Sequence, residues 1–573
     1  MISRLATLLS IVVIAASPVF ADWEENGTSV GGGGYPHLVS DGSGGTIIAW
    51  ESWDPWAGQW DYGYGQRLSP GGDAMWLTPD FDNFCESSDQ SAPLVTTDGA
   101  GGGIFVWFDN RNGYLDLYAQ RIDAAGAPQW GECGVPVRVL PKDLQTYSSL
   151  AIVSDGAGGA IIAWSDPRGS NSDIYAQHLN ASGVALWTTN GGTLCFAAGE
   201  QVNPVGVSDG AGGAWFAWVD SRSGVNDIYA RHINSAGVPS GIPGGLALCT
   251  AAGSQAVARI APDEAGGAIV SWQDSRGGGS SDDIYAQRVS AAGSVLWTAD
   301  GVGVCTQASM QEFPEIASDG TGGAVVVWKD WRTYPGTSQM AVFAQRVDET
   351  GASQWTADGN LLGVSDRLWG VKAVVVPDGY GNSLVAWSSA LYSPVLLDME
   401  PFVRVQRLGA NGAEQWAAGG VDVRHSTGFP GDSGVDGLVL IADGWGGAYA
   451  AWQDWRYWQA SSVHVAHVSP SGVATDAGPV RVPSLKVADV YPNPFSGQAS
   501  LAIELATPSR LEVDIFDVRG RKVSSLVREN GNLSHVVELN GRDEAGRLLP
   551  SGVYFCRVRN AGETVTRKMV ITR

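Results

Sequence analysis

The chain has 573 residues, too many for one ordinary core, so several packing units are required. Charged residues are only 16%, apolar residues reach 44% and Gly numbers 77, which excludes a disordered or helical chain and favours an all-β protein dense in turns. The net charge of -24 argues against nucleic acid or anionic lipid as a partner; a solvated acidic surface is the plain reading and calcium binding its alternative.

Residues 1–21 read as a removable export signal. Arg4 supplies the positive start, Leu5 to Ala16 the apolar run, and Val19-Phe20-Ala21 a cleavage site before Asp22. No Cys follows that point, so a lipid anchor is not expected there, and no later window approaches a membrane-spanning helix. The mature chain is expected to be soluble and to leave the cytoplasm.

From residue 22 to 480 the sequence repeats. The stretch Asp155-Gly-Ala-Gly-Gly-Ala-Ile-Ile-Ala-Trp164 returns in variants anchored at Asp41, Asp98, Asp209, Asp263, Asp319, Asp378 and Asp443, with spacings of 57, 57, 54, 54, 56, 59 and 65 residues in chain order. Nine residues after every anchor stands a Trp: Trp50, Trp107, Trp164, Trp218, Trp272, Trp328, Trp387 and Trp452. Short apolar runs punctuated by Gly are what antiparallel hairpins need, and each unit spells four strands. In the fifth unit these runs are Ala258-Arg-Ile-Ala-Pro, Ala268-Ile-Val-Ser-Trp-Gln-Asp, Asp283-Ile-Tyr-Ala-Gln-Arg-Val-Ser and Ser294-Val-Leu-Trp.

The units run loosely over 35–80, 90–135, 148–195, 203–249, 257–305, 313–362, 372–420 and 437–480. One four-stranded sheet cannot bury both faces alone, so the copies must stack, and radial stacking is a β-propeller. Eight units predict eight blades. Seven blades plus an aberrant unit is the alternative, because the first and seventh copies are the most degenerate, and an array of β-sandwiches is the third reading.

Several repeated residues have structural jobs. The Trp at offset nine ends an apolar strand and is expected to wedge between neighbouring sheets. Asp at offset eleven and Arg at offset thirteen occur together as Asp109/Arg111, Asp166/Arg168, Asp220/Arg222, Asp274/Arg276, Asp330/Arg332 and Asp454/Arg456. Both are lost together in unit one, with Ser52 and Asp54, and in unit seven, with Ser389 and Leu391. Joint loss predicts an ion pair that locks a loop, with a calcium site as the alternative. Cys85, Cys195, Cys249 and Cys305 lie 13 or 14 residues before an anchor. The six Cys form no disulfide framework, and these four are read as small buried apolar residues rather than bridges, redox centres or metal ligands.

Residues 483–573 break the period and spell six or seven short alternating strands, as in an immunoglobulin-like β-sandwich. Tyr491-Pro492-Asn493-Pro494-Phe495, Asp517-Val-Arg-Gly520, Gly541-Arg-Asp-Glu-Ala-Gly546, Ser551-Gly552-Val-Tyr554 and Lys568-Met569 resemble the immunoglobulin-like domain of flagellar hook-capping proteins and the type A C-terminal sorting domain of type IX secretion substrates. The resemblance implies a terminal module that meets the outer-membrane secretion machinery and leaves the protein secreted or on the outer surface of a bacterium. The repeat array resembles uncharacterised secreted bacterial propeller repeats.

Little here spells catalysis, and no catalytic residue, metal ligand or cofactor is assigned. His178 and His467 occupy third-strand positions where sister units carry Arg121 and Arg288, and read as solvated. The aromatics are sharper: once the repeated Trp are set aside, Trp53, Trp56, Trp60, Trp445, Trp455 and Trp458 crowd into the first and last units, which a closed ring makes neighbours. Trp53, Trp331 and Trp455 share offset twelve, in the loop between strands two and three. Extra apolar area at ring closure is one reading. The other is an aromatic platform for a glycan or protein ligand, formed by Trp53, Trp56, Trp60, Trp331, Trp455 and Trp458. The expectation is an extracellular binding or scaffold protein, with a propeller-based polysaccharide hydrolase or lyase as the alternative.

Overall fold

Every anchor aspartate stands at the tip of a hairpin and builds the turn with its own carboxylate. Asp263 Oδ1 accepts the backbone N–H of Ala265 at 2.9 Å and of Gly267 at 2.7 Å, while Gly266 takes φ +82°, a left-handed conformation that suits glycine. The turn joins Gln255–Pro262 to Ala268–Asp274, and the sheet continues through Asp283–Val289 to Val302–Cys305, all antiparallel. Ala268–Asp274 is almost wholly buried because it is a central strand covered on both faces, and its sequence is accordingly a near-continuous apolar run.

This is a computed structural model of the protein, describing residues 27–54, 59–76, 89–113, 115–140, 149–278, 281–332, 340–365, 371–393, 398–424, 435–457, 460–475, 485–487, 495–505, 511–517, 521–528, 534–543, 546–560 and 563–572. The expected export signal, 1–21, lies outside them. The described residues are all β and fall into two units, one up to Gly478 and one from Pro479. No helix among them is long and apolar enough to cross a membrane.

The first unit is a set of repeated antiparallel sheets consistent with a propeller. Numbered in chain order, sheets one to eight open with the strands Gly34–Ser40, Gln90–Thr97, Leu150–Ser154, Gln201–Ser208, Gln255–Pro262, Gln311–Ser318, Lys372–Pro377 and Val435–Ala442. Each opening strand lies against that of the next sheet, and Val435–Ala442 lies against Gly34–Ser40, so the circuit closes. Apolar clusters fill the spaces between sheets. Ile269 and Ile284 of sheet five pack with Val326 and Trp328 of sheet six, and Trp50 and Ile48 of sheet one pack with Tyr449 and Val463 of sheet eight.

Sheet eight takes its outer strand from the other end of the chain. Thr28–Gly32 pairs antiparallel with Ala460–Val468, Thr28 opposite Val465 and Gly32 opposite Ser462. Ala474–Thr475 pairs with the remaining length of the same strand, Thr475 opposite His467. Gly27 takes φ +78° and a Cβ there would come within 2.5 Å of the Trp452 ring, the relation Gly191 has to Trp164 and Gly301 to Trp272. Residues 27–32 thus supply the part of the eighth repeat that its own sequence lacks. Tyr449 adds a bond from its hydroxyl to Gly44 O at 2.8 Å, and Trp445 covers Gly44, so part of the aromatic excess in the end units seals this junction.

The Asp–Arg pairs form as expected and are tied into the sheets. Trp272 Nε1 donates to Asp274 Oδ2 at 2.7 Å, and Arg276 bonds both carboxylate oxygens, stacks its guanidinium 3.7 Å from the Tyr285 ring centroid and reaches Asp300 O. Sheets two, three, four and six repeat the ion pair at 2.5 to 2.6 Å. In sheet eight Asp454 pairs with Arg424, at 3.0 Å with both side chains buried; the side chain of Arg456 lies outside the described residues. Units one and seven lack the aspartate, and there Trp50 Nε1 and Trp387 Nε1 are buried with no hydrogen-bond partner.

Two expectations are corrected. His178 and His467 are buried rather than solvated, because they replace arginine as partners of the anchor aspartates: each Nε2 lies 2.9 Å from Asp155 Oδ2 or Asp443 Oδ2. Among the cysteines, Cys195, Cys249 and Cys305 are buried free thiols, and burial pushes each up to about 12. Cys133, by contrast, is disulfide-bonded, so not every cysteine is a packing residue; Cys85 lies outside the described residues.

The second unit is two antiparallel sheets around one core. Leu485–Val487, Ala499–Leu505 and Ser534–Leu539 form the first, and Lys522–Arg528, Leu511–Asp517, Gly552–Asn560 and Glu563–Ile571 the second, in those spatial orders. Leu501, Ile503 and Val537 of one sheet meet Val513, Cys556 and Met569 of the other in a single cluster.

Candidate functional site

The opening strands line the inside of the circuit, and most carry a defect at the same place. In sheets one, two, four, five, six and eight, two residues oppose one on the neighbouring strand, and the first of the two is left-handed: Tyr35 (φ 52°), Ala92 (φ 51°), Asn203 (φ 55°), Val257 (φ 54°), Phe313 (φ 54°) and Gly437 (φ 60°). An aromatic or β-branched residue in that region costs roughly 1–2 kcal/mol, so the conformation is imposed by its surroundings. Part of the compensation is a tie to the preceding sheet. The bulge N–H of Asn203 donates to Ser149 Oγ at 2.9 Å, that of Phe313 to Gln273 Oε1 at 3.4 Å, and that of Ala92 to Glu51. Tyr35 and Phe313 remain 57% and 50% exposed, so the bulges hold two aromatic rings in solvent at the inner rim.

Around Phe313 the rim is best developed. Glu312 Oε2 accepts from Trp331 Nε1 at 2.9 Å and meets Lys329 Nζ at 3.2 Å. The ammonium lies 4.8 Å from the Trp331 ring centroid and 5.5 Å from that of Phe313. A cation between two ring faces and fixed by a carboxylate is a stable polar and aromatic surface. On sheet five, Asp283 faces Asp274; its own burial and then the Asp274 charge raise it to about 6.

The six tryptophans singled out as a platform fall unevenly. Trp331 is the member of the rim cluster just described. Trp455 is half-buried in Ala448–Tyr457 of sheet eight, and Trp53 and Trp60 oppose one another in the hairpin of sheet one, where only their backbone is described. Trp56 and Trp458 lie outside the described residues. Sheet seven stands between Trp331 and sheet eight. The bulge residues were missed in the sequence, although a signal was present: Pro36, Pro93, Pro204 and Pro314 each follow a bulge residue, and proline inside a strand marks an edge or a bulge.

In the second unit, Tyr554 is buried and its hydroxyl donates to Pro550 O at 3.0 Å. Gly552 pairs with Ile571, and Lys568 stands opposite Phe555. Phe495, the last residue of the Tyr-Pro-Asn-Pro-Phe motif, is buried and its N–H donates to Val570 O at 3.0 Å. Tyr491, Pro492, Asn493, Pro494 and Gly520 lie outside the described residues.

Residues 489–572 match the family model of the secretion system C-terminal sorting domain. The protein is accordingly a secreted one, or one attached to the outer cell surface, and its tail engages the type IX secretion machinery. No curated protein matches the chain. Among solved structures, it is similar to a PL25 ulvan lyase (9% identity, 68% of this chain and 96% of that one, TM-score 0.38) and to an α-L-arabinanase of Penicillium chrysogenum (12%, 57% and 95%, TM-score 0.32). A protein of unknown function from Dyadobacter fermentans is similar as well (10%, 56% and 95%, TM-score 0.32). Likenesses this loose carry no argument about chemistry.

Proposed function

We propose that the chain is an extracellular binding or scaffold protein: an eight-bladed β-propeller that presents a ligand at its inner rim, exported by the signal 1–21 and delivered by an immunoglobulin-like C-terminal sorting module. The observation that carries the binding reading is the strained, half-exposed Phe313 standing beside Trp331, Lys329 and Glu312. The left-handed backbone belongs to the repeat, since Ala92, Asn203, Val257 and Gly437 share it, but at Phe313 it holds a ring half out of the rim, where it suits stacking on a sugar or a partner side chain. In this reading Trp53, Trp56, Trp60, Trp455 and Trp458 also contribute to ligand binding.

A glycan array probed with the mature chain tests it. Binding of at least one glycan is expected, weakened about tenfold or more by Trp331→Ala, the loss typical of a central interface aromatic. No glycan bound, or full binding by the Trp331→Ala variant, counts against the rim. Turnover of a bound polysaccharide would favour the hydrolase or lyase reading.

A further inference from the structure

In four consecutive sheets the loop end of the central hairpin sets one carboxylate against another. The second strand closes on Asp109, Asp166, Asp220 and Asp274, and the third opens on Asp116, Asp173, Asp227 and Asp283, each pair in direct cross-strand register. Residues so placed share a face of the sheet with Cβ atoms roughly 5 Å apart, where two like charges repel. The fold does not require the second aspartate, since Ala341 and Ser462 occupy its place in sheets six and eight. In each pair the arginine two residues on, Arg111, Arg168, Arg222 or Arg276, is committed to the first member.

Sheet two supplies separate donors to the second member: Asn112 Nδ2 lies 2.8 Å from Asp116 Oδ2, and the Leu140 N–H lies 3.1 Å from Oδ1. Sheets three and four are poorer. Asp173 and Asp227 are each 1% exposed, yet Asp173 Oδ2 and both carboxylate oxygens of Asp227 are buried without a hydrogen-bond partner. Besides Asp166, Glu200 and Asp220 face Asp173, against the Ala197 N–H at 3.3 Å. Besides Asp220, Asp300 and Arg222 face Asp227, with the Ser223 hydroxyl, whose proton goes to Val225 O at 3.2 Å. Asp283 meets Asp274, Asp282 and Asp358 against Arg276. Cys195, Tyr229 and Tyr285 also lie in reach, and burial keeps all three uncharged.

We propose that Asp173, Asp227 and Asp283 form a proton-locked device: a proton from solvent on each keeps the loop ends of the hairpins in sheets three, four and five closed, and its loss loosens them. The neutral acid removes the repulsion and needs no counter-ion, whereas a buried carboxylate without a donor is the costly state. Burial, ahead of the neighbouring charges, raises all three groups above the ordinary carboxylate value, Asp283 to about 6. A group raised in the folded state contributes stability that is complete below its unfolded value, about 4, and is lost as pH rises through the folded value. The lock is therefore tight in acid and slackens as pH rises through about 6. A secreted or surface-attached chain meets the pH of its surroundings directly.

Urea unfolding and amide hydrogen exchange of the mature chain from pH 4 to pH 7.5 test it, in wild type and in the combined variant Asp173→Asn, Asp227→Asn and Asp283→Asn, whose amides stand for the neutral acids. The variant is expected to match wild type at pH 4 and to exceed it in stability at pH 7.5. At pH 7.5 residues 167–172 and 221–226 should exchange at least about tenfold more slowly in the variant, one pKa unit of the rise being kept after solvent screening. If the combined variant does not fold, Asp227→Ser, the residue type of sheet eight, provides the second, with a gain of the same sign at pH 7.5. Asp116→Asn, in the sheet that has its own donors, should bring no gain. Absence of a gain at pH 7.5, a gain that persists unchanged at pH 4, or an equal gain from Asp116→Asn would overturn the proposal. So would calcium chloride that stabilises wild type at pH 7.5 as much as the combined change does, since a metal rather than a proton would then neutralise the pairs.

Discussion

A chain lacking residues 1–33 is expected to lose the single cooperative unfolding of the repeat array, with destabilisation of about 4 kcal/mol or more, among the largest effects a local change produces. Deletion removes the strand Thr28–Gly32 and with it the outer ladder over Ser462 to Val465 of Ala460–Val468. It also uncovers Trp452 and takes Gly27 O from His464 Nδ1, now 3.1 Å away in a buried contact. The exposed edge would then be free to pair with other chains, so aggregation should accompany the loss. Denaturant unfolding followed by Trp fluorescence reads the first effect and light scattering the second. Gly27→Val is the milder form, since its Cβ would meet the Trp452 ring at 2.5 Å and its backbone would have to keep φ +78°. An unchanged transition after deletion would mean that the circuit does not depend on its N-terminal strand.

Arg276→Met should cost about 3–5 kcal/mol at neutral pH, because it strands the buried Asp274 carboxylate. Burial by itself raises Asp274; the Arg276 side-chain bonds, then Trp272 and the Arg276 backbone N–H, outweigh it and leave the pKa below the ordinary carboxylate value. A group depressed in the folded state contributes stability above its unfolded value, about 4, and loses it as pH falls through the folded value. Without Arg276 the burial effect prevails and the sign reverses. The gap between wild type and variant should therefore be widest at neutral pH and narrow on acidification, measured as the unfolding midpoint in urea from pH 7 to pH 3. A gap constant with pH would show that the loss comes from packing on Tyr285 rather than from the charge.

The repeat and its first three strands were legible because fixed offsets survive where sequence drifts: the anchor Asp, the Trp nine residues on and the Asp–Arg pair each do one local job in nearly every copy. The fourth strand was misplaced: Ser294–Trp297 is a turn with one isolated bridge, and the strand is Val302–Cys305, beyond the next turn. The partner of the anchor was harder to see. Arg67, Arg121 and Arg288 sit on the third strand at a distance set by loop lengths, and where histidine replaced arginine its polarity suggested exposure, although a buried carboxylate was waiting for it. The completing strand was missed for a different reason. Gly27-Thr-Ser-Val is too short to register as a repeat, precedes the first unit, and gains meaning only beside Ala460–Val468. Cys133 escaped because it falls out of step with the other cysteines. At the inner rim, Trp331 was found by its offset, but Phe313 and Lys329 lie on different strands and are joined only by the bulge.

Closure of the circuit is the claim on which the rim depends, and a cysteine cross-link tests it most directly. Thr28→Cys and Val465→Cys place two thiols on residues that face each other in the outer pair of sheet eight. Under mild oxidation the account predicts a rapid cross-link within one molecule, releasing a protein of monomer mass that resists unfolding. Failure to cross-link in the folded monomer, or bridges that form only between molecules, would contradict it.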